Sequence, residues 1–155
     1  HRAGAAAARD ALQAAPGAIC TDPVLERLRL ALAANASFEA SGAAETLRAA
    51  MQKHVLVEKE AAGLNKMLAL AEGVGSEFSR GGGATPTSLP SVLTVQNMAS
   101  TAEAIVRACL MRAETRSGPY RTDHPDRDDD AFGHALVQQR RGGACVFAPM
   151  KYSPD

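Results

Sequence analysis

Apolar positions along the chain recur at spacings of three and four, the period of a helix with one buried face. His1–Ala15 reads as the end of a helix, stopped by Pro16-Gly17. Asp22-Pro23 supplies a cap residue and a proline for the first helical position. From there Leu25, Leu28 and Leu32 share one face, and the helix is expected to fade through Asn35–Gly42. A third helix begins near Ser41–Ala44 and carries Leu47, Met51 and Val55. Gly63 interrupts the pattern, and Leu64, Met67, Leu68 and Ala71 then form a fourth stripe. Gly73, Gly75 and GGGATPTSLP at 81–90 predict a flexible surface connection. The strongest periodicity follows, with Val95, Met98, Ala102, Ile105 and Cys109 forming a heptad seam. Two repeats are too few for a free coiled coil, so an antiparallel bundle is expected. Beyond Gly118-Pro119 the chain turns polar and irregular. HALVQQ and ACVFAPM then flank Arg140-Arg141-Gly142-Gly143 as a short hairpin. The predicted class is all-α: an antiparallel three-helix bundle, spectrin-repeat-like, with extra N-terminal helices and a small C-terminal β-hairpin.

Composition changes the picture in one respect. Hydrophobic residues make up 46% of the 155, yet aromatics are 4% and tryptophan is absent. Alanine alone is roughly a fifth of the chain. It favours helix but buries little area, so the core must be thin. Seventeen basic residues balance seventeen acidic ones, which gives no global attraction to nucleic acid or anionic lipid. No apolar run is long enough to span a bilayer. Cys20, Cys109 and Cys145 are too few and too scattered for a disulfide framework or a zinc ribbon, which fits a reducing, cytoplasmic setting. The first residue is His1, so either a processed N-terminus or a piece of a longer chain is expected.

Most candidate chemistry gives way to a plainer reading. Asp126–Asp130 begins like a calcium loop, but Ala131 and Val137 stand where that loop needs glycine and glutamate. His124 and His134 lack the spacing that organises a metal site, and His54 reads as a bundle histidine. Cys109 sits on the seam as a small hydrophobe. Gly81-Gly82-Gly83 lacks the Lys-Ser/Thr of a phosphate loop, and Asn35-Ala36-Ser37 matches a glycosylation sequon by chance. No catalytic, cofactor-binding or metal-binding residue is assigned.

The segment Arg112–Asp130 differs in kind, with four arginines among six carboxylates. Arginine suits bidentate carboxylate pairing at interfaces, and this density predicts an interdomain or intersubunit patch. Its candidate residues are Glu114, Arg116, Arg121, Asp123, Arg127, Asp128 and Asp129. RAETRSGPYRTDHPDRDDDAFGHALV resembles the C-terminal signature of succinate dehydrogenase and fumarate reductase flavoprotein subunits. Those seven residues, with Pro125, Phe132, His134 and Leu136, fall in its register. Ser117, Pro119 and His124 depart from it. LRAAMQKHVLVEKEAAGLNKMLALAE, HRAGAAAA and RRGGACVFAPMKYSP look like further stretches of the same family. L-aspartate oxidase is a relative that shares part of the signature.

The resemblance implies a parent oxidoreductase that binds FAD upstream and interconverts succinate and fumarate. In it, residues 1–15 are the tail of the last helix of the FAD-binding domain and 16–42 a connecting helix. Residues 43–130 form a helical bundle with its Arg/Asp-rich tail, and 131–155 the hairpin and tail. This region implies no catalysis alone, and its expected partners are the upstream FAD-binding and capping domains and an iron–sulfur subunit. Those partners imply a cytoplasmic position at the inner face of the membrane, with no span of its own. A fragment of L-aspartate oxidase and a stand-alone helical interaction module are the competing readings.

Overall fold

A computed structural model describes residues 22–32, 38–116, 120–141 and 144–150. The expectations for the first helix, Cys20, the Asn35 sequon, Ser117–Pro119, Gly142-Gly143 and the last five positions lie outside the described residues. Five helices are described: α1 (Asp22–Leu32), α2 (Ala40–His54), α3 (Ala61–Arg80), α4 (Leu89–Met111) and the single turn α5 (Asp129–Phe132). Two short ribbons accompany them: β1 (Glu58–Lys59) with β2 (Tyr120–Arg121), and β3 (Ala135–Arg141) with β4 (Ala144–Met150). The chain is mostly helical, with a small hairpin.

Local chemistry sets the boundaries. Glu39 caps α2, its carboxylate accepting from Gly42 N at 2.5 Å, and Lys53 and His54 occupy the last turn, where a helix favours cations. Pro90 lies in the first turn of α4, where its missing N–H costs nothing. One core joins α2, α3 and α4 through Leu47, Val55, Leu64, Met67, Val95 and Val106, with alanines 44, 71, 99 and 102 between them. A smaller cluster of Ala31, Phe78 and Val92 holds α1 against the far ends of α3 and α4. Arg27 of α1 also donates to Gln96 and Asn97 of α4. Leu56 and Val57, between α2 and β1, remain exposed.

The structure moves several expected positions. The buried stripe of α4 is Val92, Val95, Ala99, Ala102 and Val106. Met98 and Cys109 sit half-buried at its margin and Ile105 is exposed, so the heptad seam lies partly off the buried face. The cause is that two neighbouring helices bury a wider stripe than a single seam. On α1, Ala31 is buried while Leu25 and Leu32 are exposed, because the small residue allows the close approach. Gly73 and Gly75 are helical, inside α3, and so is the buried Gly63. A Cβ on Gly63 would stand 2.8 Å from His54 Nδ1, so this glycine marks a close crossing where an interruption was expected.

The glycine-rich connection is not a free linker. Gly82 N donates to Leu30 O at 2.7 Å and Ala84 N to Ala31 O at 2.8 Å, which satisfies two carbonyls at the end of α1. Gly81 and Gly83 take positive φ values of 131° and 55°, and Gly81 and Gly82 are buried. The expected hairpin is present, pairing Ala135 with Met150 through to Arg141 with Ala144. The β1–β2 ribbon is parallel, with Glu58 opposite Tyr120 and Lys59 opposite Arg121, inside a stretch expected to be irregular.

Two glycine substitutions separate these roles. A Cβ at position 82 would meet Ala31 O at 2.7 Å and Ala31 Cα at 2.9 Å, both backbone atoms that cannot yield. Gly82→Ala is expected to destabilise by about 1–3 kcal/mol in equilibrium denaturation. Gly73→Ala meets nothing within 4 Å on its helix and should stabilise by about 1 kcal/mol.

Candidate functional site

The end of α4 runs into the arginine–carboxylate segment, and the fold sorts its charges into two adjoining clusters. The first centres on Arg121, whose side chain is 5% exposed. Its Nε and Nη2 donate to Asp123 Oδ1 and Oδ2 at 2.8 and 2.9 Å, a bidentate fork. Its Nη1 donates to Cys109 O at 2.5 Å and Arg112 O at 3.1 Å, closing carbonyls at the C-terminus of α4. Asp123 Oδ2 accepts from Ala61 N at 2.8 Å, so the carboxylate caps the N-terminus of α3 from 62 positions away. The same ion pair thus closes opposite ends of two helices.

Backbone contacts hold this pair in place. Tyr120 N donates to Val57 O and Thr122 N to Lys59 O, both at 2.8 Å. Thr115 Oγ1 accepts from Arg121 N at 2.9 Å and donates to His124 O at 2.8 Å.

The second cluster centres on Glu114, which is 3% exposed. Oε1 accepts from Arg116 Nε at 2.7 Å and from Arg112 Nη1; Oε2 accepts from Arg116 Nη2 at 3.0 Å and Asp128 N at 2.9 Å. A carboxylate has about four acceptor sites, and all are used here. Arg112 reaches onward to Phe132 O and His134 O, both at 3.1 Å, and lies over the Phe132 ring at 5.5 Å. Arg116 Nη2 and Arg127 Nε both donate to Asp129 Oδ1 at 2.7 Å. Asp128 caps α5, its Oδ1 accepting from Ala131 N at 2.9 Å.

All seven residues singled out in the sequence therefore fall in or around these clusters. Glu114 and Arg121 are buried within the domain, whereas Arg127 and Asp129 are exposed. Sequence reasoning missed Arg112, Thr115 and the buried Lys59. Arg112 stands two positions before Glu114 as Arg116 stands two after it, a symmetric spacing that would have marked a shared carboxylate. His124 Nε2 lies 4.0 Å from Asp123 Oδ2, and His54 packs at Gly63. Among the described residues no group of three or more metal-ligating side chains converges.

A family described as fumarate reductase flavoprotein C-term matches residues 44–148. The chain belongs to that family. The match includes both charge clusters and most of the hairpin. Two curated relatives, fumarate reductase flavoprotein subunits from two strains of Mycobacterium tuberculosis, are 41% identical over 58 residues. That match covers 37% of this chain and 10% of theirs, so the aligned part spans about a tenth of those proteins. Among solved structures, Mycobacterium smegmatis Sdh1 in complex with UQ1 shares the fold with a TM-score of 0.73 at 21% identity. The alignment covers 94% of this chain and 26% of that one. The apo form of the same complex gives 0.69 at 22% identity, over 92% and 27%.

The Arg116 guanidinium, helped by the Asp128 amide and Arg112, lowers the Glu114 carboxyl from 4.5 to about 2 against the opposing effect of burial. Arg121 likewise holds Asp123 well below the usual carboxylate range, helped by the Ala61 amide. Both carboxylates bind protons less readily folded than unfolded. For Glu114 the contribution to stability is therefore complete above pH 4.5 and is lost as pH falls toward about 2, and for Asp123 it persists to lower pH. Glu114→Gln is expected to lower the melting temperature at neutral pH and to flatten its fall across that acid window, read by thermal melts from neutral pH downward. Asp123→Ala leaves the Arg121 charge buried without its partner and should cost about 3 kcal/mol, read by denaturant titration.

Proposed function

We propose that this chain is the C-terminal helical domain of an FAD-dependent oxidoreductase that interconverts succinate and fumarate. It packs on the flavin domain and supports docking of an iron–sulfur subunit, which would bring the protein to the inner face of the membrane through its partners. The observation that carries this reading is the family match, which takes in both charge clusters. The mutual packing of α2, α3 and α4 supports an antiparallel, spectrin-repeat-like bundle. Among the described residues no helix is long and apolar enough to cross a membrane.

Among the described residues no dinucleotide-binding turn is formed. Gly73-Val74-Gly75 lies inside α3 and not at a strand-to-helix turn, and Gly82 of the Gly81–Gly83 run is bonded to the Leu30 carbonyl of α1. No step of the reaction is therefore assigned to this domain. Its part is structural: the Arg121–Asp123 and Glu114 clusters fix the end of the bundle, and they leave Arg127 and Asp129 outward. Those exposed members, with Asp128 between them, are the part of the patch proposed to meet a neighbouring domain or subunit.

The test is to purify the complete protein that contains this chain and record its visible spectrum. A bound flavin that bleaches with succinate and is reoxidised by fumarate supports the proposal. A protein without flavin, or one reduced by L-aspartate and not by succinate, overturns it. Arg127→Ala in that protein should loosen association with the iron–sulfur subunit while leaving the flavin content unchanged. Pull-down yield and flavin absorbance check the two halves, and unchanged association would remove Arg127 from the interface.

A further inference from the structure

Between β1 and the end of α4 lies a cavity of about 220 Å³. Its charged lining is Lys59, Arg112, Arg116 and Arg121, with Glu114 the one carboxylate. Lys59 is 7% exposed, yet its ammonium makes no hydrogen bond or ion pair with any described residue. A buried charge ordinarily has a partner, because desolvation penalises it otherwise. Three fixed guanidinium groups on the same cavity deepen that penalty.

None of the carboxylates in the clusters pairs with Lys59. Both oxygens of Glu114 already accept twice, from Arg112, Arg116 and the Asp128 amide. The Asp123 oxygens are taken by Arg121 and the Ala61 amide, and Asp129 Oδ1 is shared by Arg116 and Arg127. Lys59 is not sealed, since the buried polar atom left without a partner among the described residues is Arg27 Nε. Its ammonium thus keeps a path to solvent, and the cavity is the opening that Lys59 lines. Arg116 Nη1 also donates to no described residue.

We propose that this cavity is an anion site that takes one carboxylate group between Lys59 and Arg116. The charge inventory selects the class. Of the cations that line the cavity, Arg112 pairs with Glu114, Arg116 with Glu114 and Asp129, and Arg121 with Asp123, which leaves Lys59 as the one without a carboxylate among the described residues. A single carboxylate closes the balance; a phosphate dianion overshoots it beside Glu114 and Asp129. The carboxylate comes either from a free small acid or from an Asp or Glu side chain of a neighbouring domain.

The test is made on the complete protein, with its lysines reductively dimethylated using ¹³C-formaldehyde, which preserves their charge. Lys59→Arg assigns the Lys59 resonance by its disappearance. At constant ionic strength, acetate should shift that resonance saturably, at a concentration at least roughly tenfold below that of chloride or phosphate. That outcome assigns a free acid. In a second arm, carbodiimide coupling of the unmodified protein and peptide mapping should join Lys59 to a carboxylate outside residues 22–150. That outcome assigns a neighbouring side chain. Absence of both, or a phosphate response as strong as that of acetate, overturns the site. Neither arm reads flavin or turnover, so the result is independent of the reaction proposed above.

Discussion

The bidentate pair of Arg121 with Asp123 is the interaction on which this end of the molecule depends. Helix ends carry unpaired backbone groups, carbonyls at one end and amides at the other. Arg121 closes carbonyls at the C-terminus of α4 and Asp123 an amide at the N-terminus of α3. The two side chains then close on each other. Each charge also has the sign that its helix end favours, cation at the C-terminus and anion at the N-terminus. Because both partners are rigidly held, the pair fixes the position of one helix end relative to the other. It also carries β2 onto β1, and with it the start of the segment that leads to Glu114's partners.

That dependence follows from the thinness of the core. Alanines take four of its positions, and the largest fully buried side chains are Leu47, Leu64, Met67, Val92 and Val106. No aromatic ring is among those five, so apolar burial per residue is modest. Polar contacts therefore do more of the work of fixing geometry, and they gather where the apolar clusters end. At the other end of the bundle the corresponding device is backbone on backbone: Gly82 and Ala84 donate to the last carbonyls of α1 across a gap that only a glycine allows. One end is held by charge and the other by close approach.

Most of the helical architecture was legible because it rests on local periodicity. Of the stripe Leu64, Met67, Leu68 and Ala71, all but the partly buried Leu68 are buried, and the hairpin follows from two alternating runs around a glycine pair. The errors came where a distant segment decides. Nothing local to Gly81–Gly83 says that α1 will offer it carbonyls, so a docked crossing reads as a linker. Ile105 and Met98 match a seam by spacing alone, but two neighbouring helices bury a stripe rotated from it. The charged segment was legible as a unit and as a family signature. Its partition into buried and exposed members was not, since burial of Glu114 and Arg121 depends on partners from elsewhere in the chain. Lys59 was missed for the same reason: a lysine between two glutamates reads as surface until β1 pairs with β2.

Zero net charge conceals this arrangement. Over the whole chain acidic and basic residues cancel, yet cancellation in the sum does not require it in each neighbourhood. Around Glu114 the carboxylates are committed to arginines and to backbone amides. Glu114 itself has no acceptor site left. Lys59 is left facing guanidinium groups across a cavity whose one carboxylate is fully used. An ammonium in such a position is completed by an acceptor drawn in from outside the domain, or by water that reaches it through the cavity. In a domain expected to meet larger neighbours, the first alternative turns a local deficit of acceptors into a contact that spans the domain boundary.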